Sequence, residues 1–193
     1  MKLTILGRVS IIVVILFLAT LWAFPMWDIQ LAAPQYPGGL SMQIWINDLG
    51  GDVDIINGLN HYIGMKTIHK EDFNEFVYLP IIMMSFMGLG LVVFILNRKR
   101  YYYIWAGLFV CIGLLSFYDF YSWLYDYGHD LDPKAPIQVP GMSYQPPLIG
   151  YKKMLNFEAL SQPHIAGWFY IGAGVILALV CFYEWKKSKK AAR

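Results

Sequence analysis

The 193-residue chain is 58% hydrophobic and 17% aromatic but only 15% charged, where a soluble domain carries about 25% charge. That composition excludes an ordinary water-soluble protein, and the apolar residues stand in long uncharged blocks instead of amphipathic stripes. The formal net charge of +2 gains meaning only when it is divided by position along the chain.

The first block, residues 10–27, reads SIIVVILFLATLWAFPMW without a charge and is close to the roughly 20 residues a spanning helix needs. Lys2 and Arg8 precede it as in a signal peptide. The small-residue site Leu31-Ala32-Ala33 runs straight into Pro34, however, so an uncleaved anchor is expected. Further spans are predicted over 76–96, 101–124 and 165–185, with Trp and Tyr at their edges, where amphipathic rings favour the headgroup zone. Only Asn97-Arg98-Lys99-Arg100 separates the second and third, which therefore form a tight helical hairpin. Glycines 88, 90, 107, 113, 167, 172 and 174 allow close helix contacts, and Pro80 marks a kink or first turn. Met83, Met84 and Met87 read as packing or lipid-facing residues. Cys111 and Cys181 also lie in apolar stretches, without the spacing of a disulfide or thiol relay.

Lys2, Arg8, the Asn97–Arg100 turn and the basic tail 186–193 fall on one side of four spans. The acids and Lys66, Lys70, Lys134, Lys152 and Lys153 fall mostly on the other. The positive-inside rule then places both termini in the cytoplasm and segments 28–75 and 125–164 outside. In the first outer segment, Leu40 to Asn47 alternates with period two, Asp48 to Asp52 signals a turn, and Val53 to Ile56 can return as a second strand. A short helix is expected over Leu59 to His69, and another helix start near Lys70, where Glu71, Asp72 and Glu75 suit the positive end of a helix dipole. Six prolines make 125–164 an extended strap with little regular structure, folded over the first segment. The expected fold is a mainly α integral membrane protein with four transmembrane helices, a small α+β outer-face domain (β-hairpin plus short helix) and a Pro-rich outer loop.

All four histidines, His61, His69, His129 and His164, fall on the outer side of this topology. On a helix His61 and Met65 share one face, with His69 a turn further. Imidazole with thioether suits copper(I), and Met42, Met142 or His164 can complete the donor set. Zinc fits less well, since no cysteine lies outside. Around the end of the third span, Asp119, Asp126, His129, Asp130 and Asp132 form a second group, in which Asp126 can orient His129. No phosphate-cradling glycine loop is present, and Gly88-Leu89-Gly90 lies within a span. The basic clusters follow from topology and lipid headgroups, so the partner expected there is the lipid bilayer and not nucleic acid.

Residues Tyr36-Pro37, Gly39-Leu40, Gly51-Asp52, Ile56-Asn57 and above all Asn60-His61-Tyr62-Ile63-Gly64-Met65 carry a resemblance. This stretch resembles outer-face segments of membrane proteins found with bacterial nitrous-oxide-reductase maturation and copper-delivery systems. The resemblance implies an accessory protein of the bacterial inner membrane that holds or delivers copper, with His61 and Met65 as ligands and a copper chaperone or copper enzyme as partner. The lipoprotein chaperones of those systems use a cysteine with Met and His, and this chain has no outer cysteine. The competing expectation is a structural or assembly subunit of a larger membrane complex, without chemistry of its own.

Overall fold

The protein is described by a computed structural model covering residues 1–154 and 157–191. Its elements in chain order are α1 (Ile5–Ala19), β1 (Trp27–Ala33), β2 (Tyr36–Ile44), β3 (Leu49–Gly51), α2 (Val53–Ile63), α3 (Glu75–Leu96), α4 (Lys99–His129), β4 (Gly150–Met154), β5 (Phe157–Pro163) and α5 (Ile165–Ala191).

Among the described residues, four helices are long and apolar enough to cross a membrane: Ile5–Trp22, Glu75–Leu96, Lys99–His129 and Ile165–Lys190. The first starts earlier than the apolar block alone implied, because the Thr4 side chain accepts a hydrogen bond from Gly7 N and caps α1. It ends in a 3-10 turn at Trp22, short of Trp27, which already belongs to β1. The third is longer than 101–124. Its 31 residues span roughly 46 Å at 1.5 Å each, more than a hydrocarbon core of about 30 Å, so its last turns project into the sheet region.

α1 packs on α5 and α3, and α4 packs on α3 and α5. Ile11, Val14, Leu18, Phe86, Trp105 and Leu177 fill the space between them. Trp105 stacks on Phe86 at 4.9 Å and donates its indole N–H to the Phe86 carbonyl at 3.0 Å. Large apolar side chains such as Val77, Ile95 and Leu114 point outward, a surface consistent with lipid contact.

The Asn97 turn allows α3 and α4 to lie antiparallel, with Asn97 left-handed at φ 51°. The residues before α1 pair with this turn through Leu3 N to Asn97 O and Lys99 N to Met1 O. Beneath them sits a buried ion pair, Lys99 Nζ to Glu184 Oε2 at 2.8 Å. Thr4 donates its backbone N–H and its hydroxyl to the other Glu184 oxygen. Lys99 also donates to Ser188 Oγ at 2.8 Å and to the Glu184 carbonyl at 3.0 Å. Position 7 must be glycine-sized, because a Cβ there would come within 2.7 Å of the Glu184 carboxylate.

At the opposite end of the bundle lies one antiparallel sheet, ordered β3-β2-β1-β5-β4. The expected hairpin of 40–47 with 53–56 is replaced by a different pairing. β2 pairs chiefly with β1, from Trp27↔Ile44 to Ala33↔Tyr36, and only the three residues of β3 return on its other side. Val53 to Ile56 opens α2, because Ile56 and Ile63 are seven apart and bury one helical face together with Asn57 and Asn60. α2 therefore covers 53–63 and not 59–69. The helix start expected near Lys70 is a single 3-10 turn, Lys70–Asp72, ahead of α3. The segment 125–164, expected to be an extended strap, is irregular only over 130–149: α4 runs to His129, and β4 and β5 lie within the rest of it. Five consecutive pairs of β4 with β5 and six of β5 with β1 join both connecting segments into one sheet.

Candidate functional site

The sheet end has its own apolar core. Ile29, Leu40 and Met42 from the sheet meet Ile56 and Ile63 of α2, Met65, Ile68, Leu124 and Tyr127 of α4, and Tyr144. Polar side chains lock the backbone around it. Asn57, buried on α2, exchanges two bonds with the Ile68 backbone, at 2.9 and 2.7 Å. Asn60 donates to the Tyr127 hydroxyl. Buried amides that satisfy backbone groups in this way fix one conformation, since leaving them unpaired costs about 1–3 kcal/mol each.

Gly64 ends α2 in the left-handed region at φ 79°, and a Cβ there would lie 2.9 Å from the Asp132 carbonyl oxygen. Its carbonyl accepts from Asp132 N at 2.8 Å, and the Tyr62 carbonyl accepts from Ile137 N at 2.9 Å. The segment Asn60–Met65 is thus a clasp between α2, α4 and the proline-rich connection.

This geometry revises the expected ligand set. His61 and Met65 do not share a helix face, because α2 stops at Ile63 and Gly64 turns the chain. Met65 enters the core at 8% exposure, whereas His61 stays exposed beside an open depression of about 470 Å³ lined by Tyr36, Ile55, Leu59 and Tyr62. His69 is exposed, its backbone N–H bonded to Asp72 at 3.2 Å. The expected orientation of His129 by Asp126 is not present. His129 Nδ1 lies 2.8 Å from the Tyr125 carbonyl, and its ring stacks on Tyr125 at 4.1 Å. Asp119 is exposed on α4, and Asp130 pairs with Lys66 at 2.6 Å. His164, between β5 and α5, is half-buried, and its Nδ1 is buried without a partner.

The structure therefore buries Met42 and Met65 in one apolar core, with Met142 packed against it, and no histidine belongs to that core. Among the described residues no three His, Cys, Asp or Glu side chains converge as a metal site. The soft donors that share this core are the thioethers of Met42, Met65 and Met142.

Two charges at this end show shifts with clear causes. The Lys70 ammonium, 3.1 Å from Asp48, holds that carboxyl below the ordinary aspartate range, helped by a bond from Leu49 N. Asp130 pushes the Lys66 ammonium up. A carboxyl depressed by folding stabilises above its unfolded pKa, and that contribution is lost as pH falls through the folded pKa. Both partners of the Asp48–Lys70 pair are about half-exposed. Lys70→Ala is accordingly expected to cost no more than about 1 kcal/mol at pH 7. Melting curves of wild type and Lys70→Ala, recorded from pH 7 into acid, should converge once Asp48 is protonated; a gap that widens in acid would contradict this pairing.

Sequence reasoning passed over Asp28, which is 5% exposed and accepts from Ser41 Oγ at 2.6 Å and Gln30 Nε2 at 2.7 Å. It also passed over Met26. Both were assigned to, or next to, the first span, and only the start of β1 at Trp27 reveals Asp28 as a sheet residue and Met26 as the residue that leads into the strand. No protein family, curated protein or solved structure matches the chain.

Proposed function

We propose that this protein is a multi-pass membrane accessory protein that holds copper(I) at the sheet end of its bundle, on the outer face of a bacterial inner membrane, for a copper chaperone or copper enzyme. The observation that carries the reading is that Met42 and Met65 are both buried in one apolar core, the second at the end of the segment Asn60–Met65. Uncharged thioethers in a dry setting select a soft monovalent ion over zinc or magnesium. The exposed His61 and its open depression give a place where an ion enters or leaves. The orientation follows from Arg98, Arg100 and the tail lysines at the far end of the bundle, which the positive-inside rule assigns to the cytoplasm.

Copper(I) titration of the detergent-solubilised protein against a chromophoric copper(I) chelator tests this. Wild type is expected to retain copper, and the Met42→Leu/Met65→Leu double variant to lose one equivalent. Leucine keeps the core volume at a cost below about 1.5 kcal/mol per site, so the loss reads ligation and not unfolding. Equal copper in both proteins would reject these ligands.

A second reading, a structural subunit of a larger membrane complex, is favoured by one feature of α4. Tyr118, Tyr121 and Tyr125 are 70%, 45% and 46% exposed at helical spacing, an aromatic stripe that a partner helix would cover. Purification in mild detergent separates the readings: a stable complex containing other chains supports it, and a lone monomer counts against it.

A further inference from the structure

Where the bundle meets the sheet, the polypeptide crosses itself at Met26 and His164. The β1–β5 ladder pairs Trp27 with Pro163, and one step further His164 N donates to the Met26 carbonyl at 3.0 Å. The two residues are therefore backbone neighbours, each one position outside the paired ends of β1 and β5. The crossing is rigid. Met26 N donates to the Ile44 carbonyl at 2.8 Å and Ala166 N to the Pro25 carbonyl at 3.0 Å. Trp27 below it is tied through its indole to Ser161 Oγ at 2.8 Å. Met26 is half-buried against the bundle core.

His164 Nδ1 is removed from water and has no hydrogen-bond partner. Buried polar atoms are nearly always paired, and an unpaired one signals a ligand or a strain. The backbone bond between His164 N and the Met26 carbonyl makes the Met26 thioether a soft donor on the neighbouring residue. We propose that Met26 and His164 form a second copper(I) site at the junction of the sheet with the first and last helices, which rests on the copper reading above. One imidazole nitrogen and one thioether make a low-coordinate soft donor pair that favours this ion. The start of α5 places the positive end of a helix dipole nearby, which opposes a cation. Asp28, two residues along β1 and opposite Gln162, puts a buried carboxylate in the same region and offsets it. The site stands where the chain leaves the bundle, so it can receive copper at the bilayer surface.

The experiment is copper(I) titration of the full-length protein and of Met26→Leu and His164→Gln, each checked for an unchanged melting temperature. Each variant is expected to bind one equivalent fewer than wild type, with Met42→Leu/Met65→Leu keeping that equivalent. Carbethoxylation of wild-type histidines, read by mass spectrometry, supplies a measurement independent of folding. Copper(I) should slow modification at His164 and leave His69 and His129 unaffected. Unchanged stoichiometry in both variants, or no protection of His164, overturns the site while leaving the Met42–Met65 ligands standing. A wild type that binds no copper(I) removes this site and the copper reading together.

Discussion

Glu184→Ala is expected to lower the stability of the protein by about 3–5 kcal/mol, the cost of leaving a buried charge without its partner. The Lys99 ammonium would keep its bonds to Ser188 and to the residue 184 carbonyl but lose its carboxylate partner. Thr4 would lose the acceptor for both its N–H and its hydroxyl, so the strap from Met1 to Thr4 would detach from the end of α5. Lys99→Met should be similarly harmful, since it strands a carboxylate that is 0% exposed. The Lys99→Met/Glu184→Leu double variant should recover most of the loss, because a well-packed apolar pair often equals or exceeds a buried ion pair. Thermal unfolding in detergent of the two singles and the double gives the coupling directly. Simple additivity, with the double worse than either single, would show that the two charges do not act as a pair.

The second large effect is expected at the other end. Gly64→Val should destabilise by about 3 kcal/mol or more, combining a left-handed backbone that costs about 1–3 kcal/mol for a side-chain residue with overpacking of similar size. Valine would meet the Asp132 carbonyl at Gly64's φ of 79°. Asp132 N to Gly64 O and Ile137 N to Tyr62 O would then break together and release the proline-rich connection. The damage should stay local, because the bundle core and the sheet core share no residue. Limited proteolysis should show new cleavage within 130–149 while the four long helices remain protected. Wild-type protease resistance in Gly64→Val would contradict the clasp.

The four long helices were legible from hydropathy alone, because twenty apolar residues have few other uses. Their ends were not, since a cap at Thr4 and a strand starting at Trp27 are set by single residues and by distant partners. The sheet was half legible. Alternation over Leu40 to Asn47 announced β2, but strand pairing depends on contacts far apart in sequence, and β5 closes onto β1 across more than a hundred residues. Val53 to Ile56 misled because four residues cannot separate a period of two from the start of a 3.6-residue period.

At the candidate site, residue types were legible and geometry was not. Gly64, a poor residue for a helix interior, is the residue that ends α2, sends Met65 into the core and leaves His61 outside. Lys99 and Glu184 read as ordinary charges at helix ends. Only the packing of α5 against the turn before α4 makes them a buried pair.

The most direct test of the central claim is the copper K-edge X-ray absorption spectrum of the protein loaded with one equivalent of copper(I). A thioether-based site predicts a cuprous edge with sulfur scatterers in the first coordination shell. A shell of nitrogen and oxygen alone would contradict it.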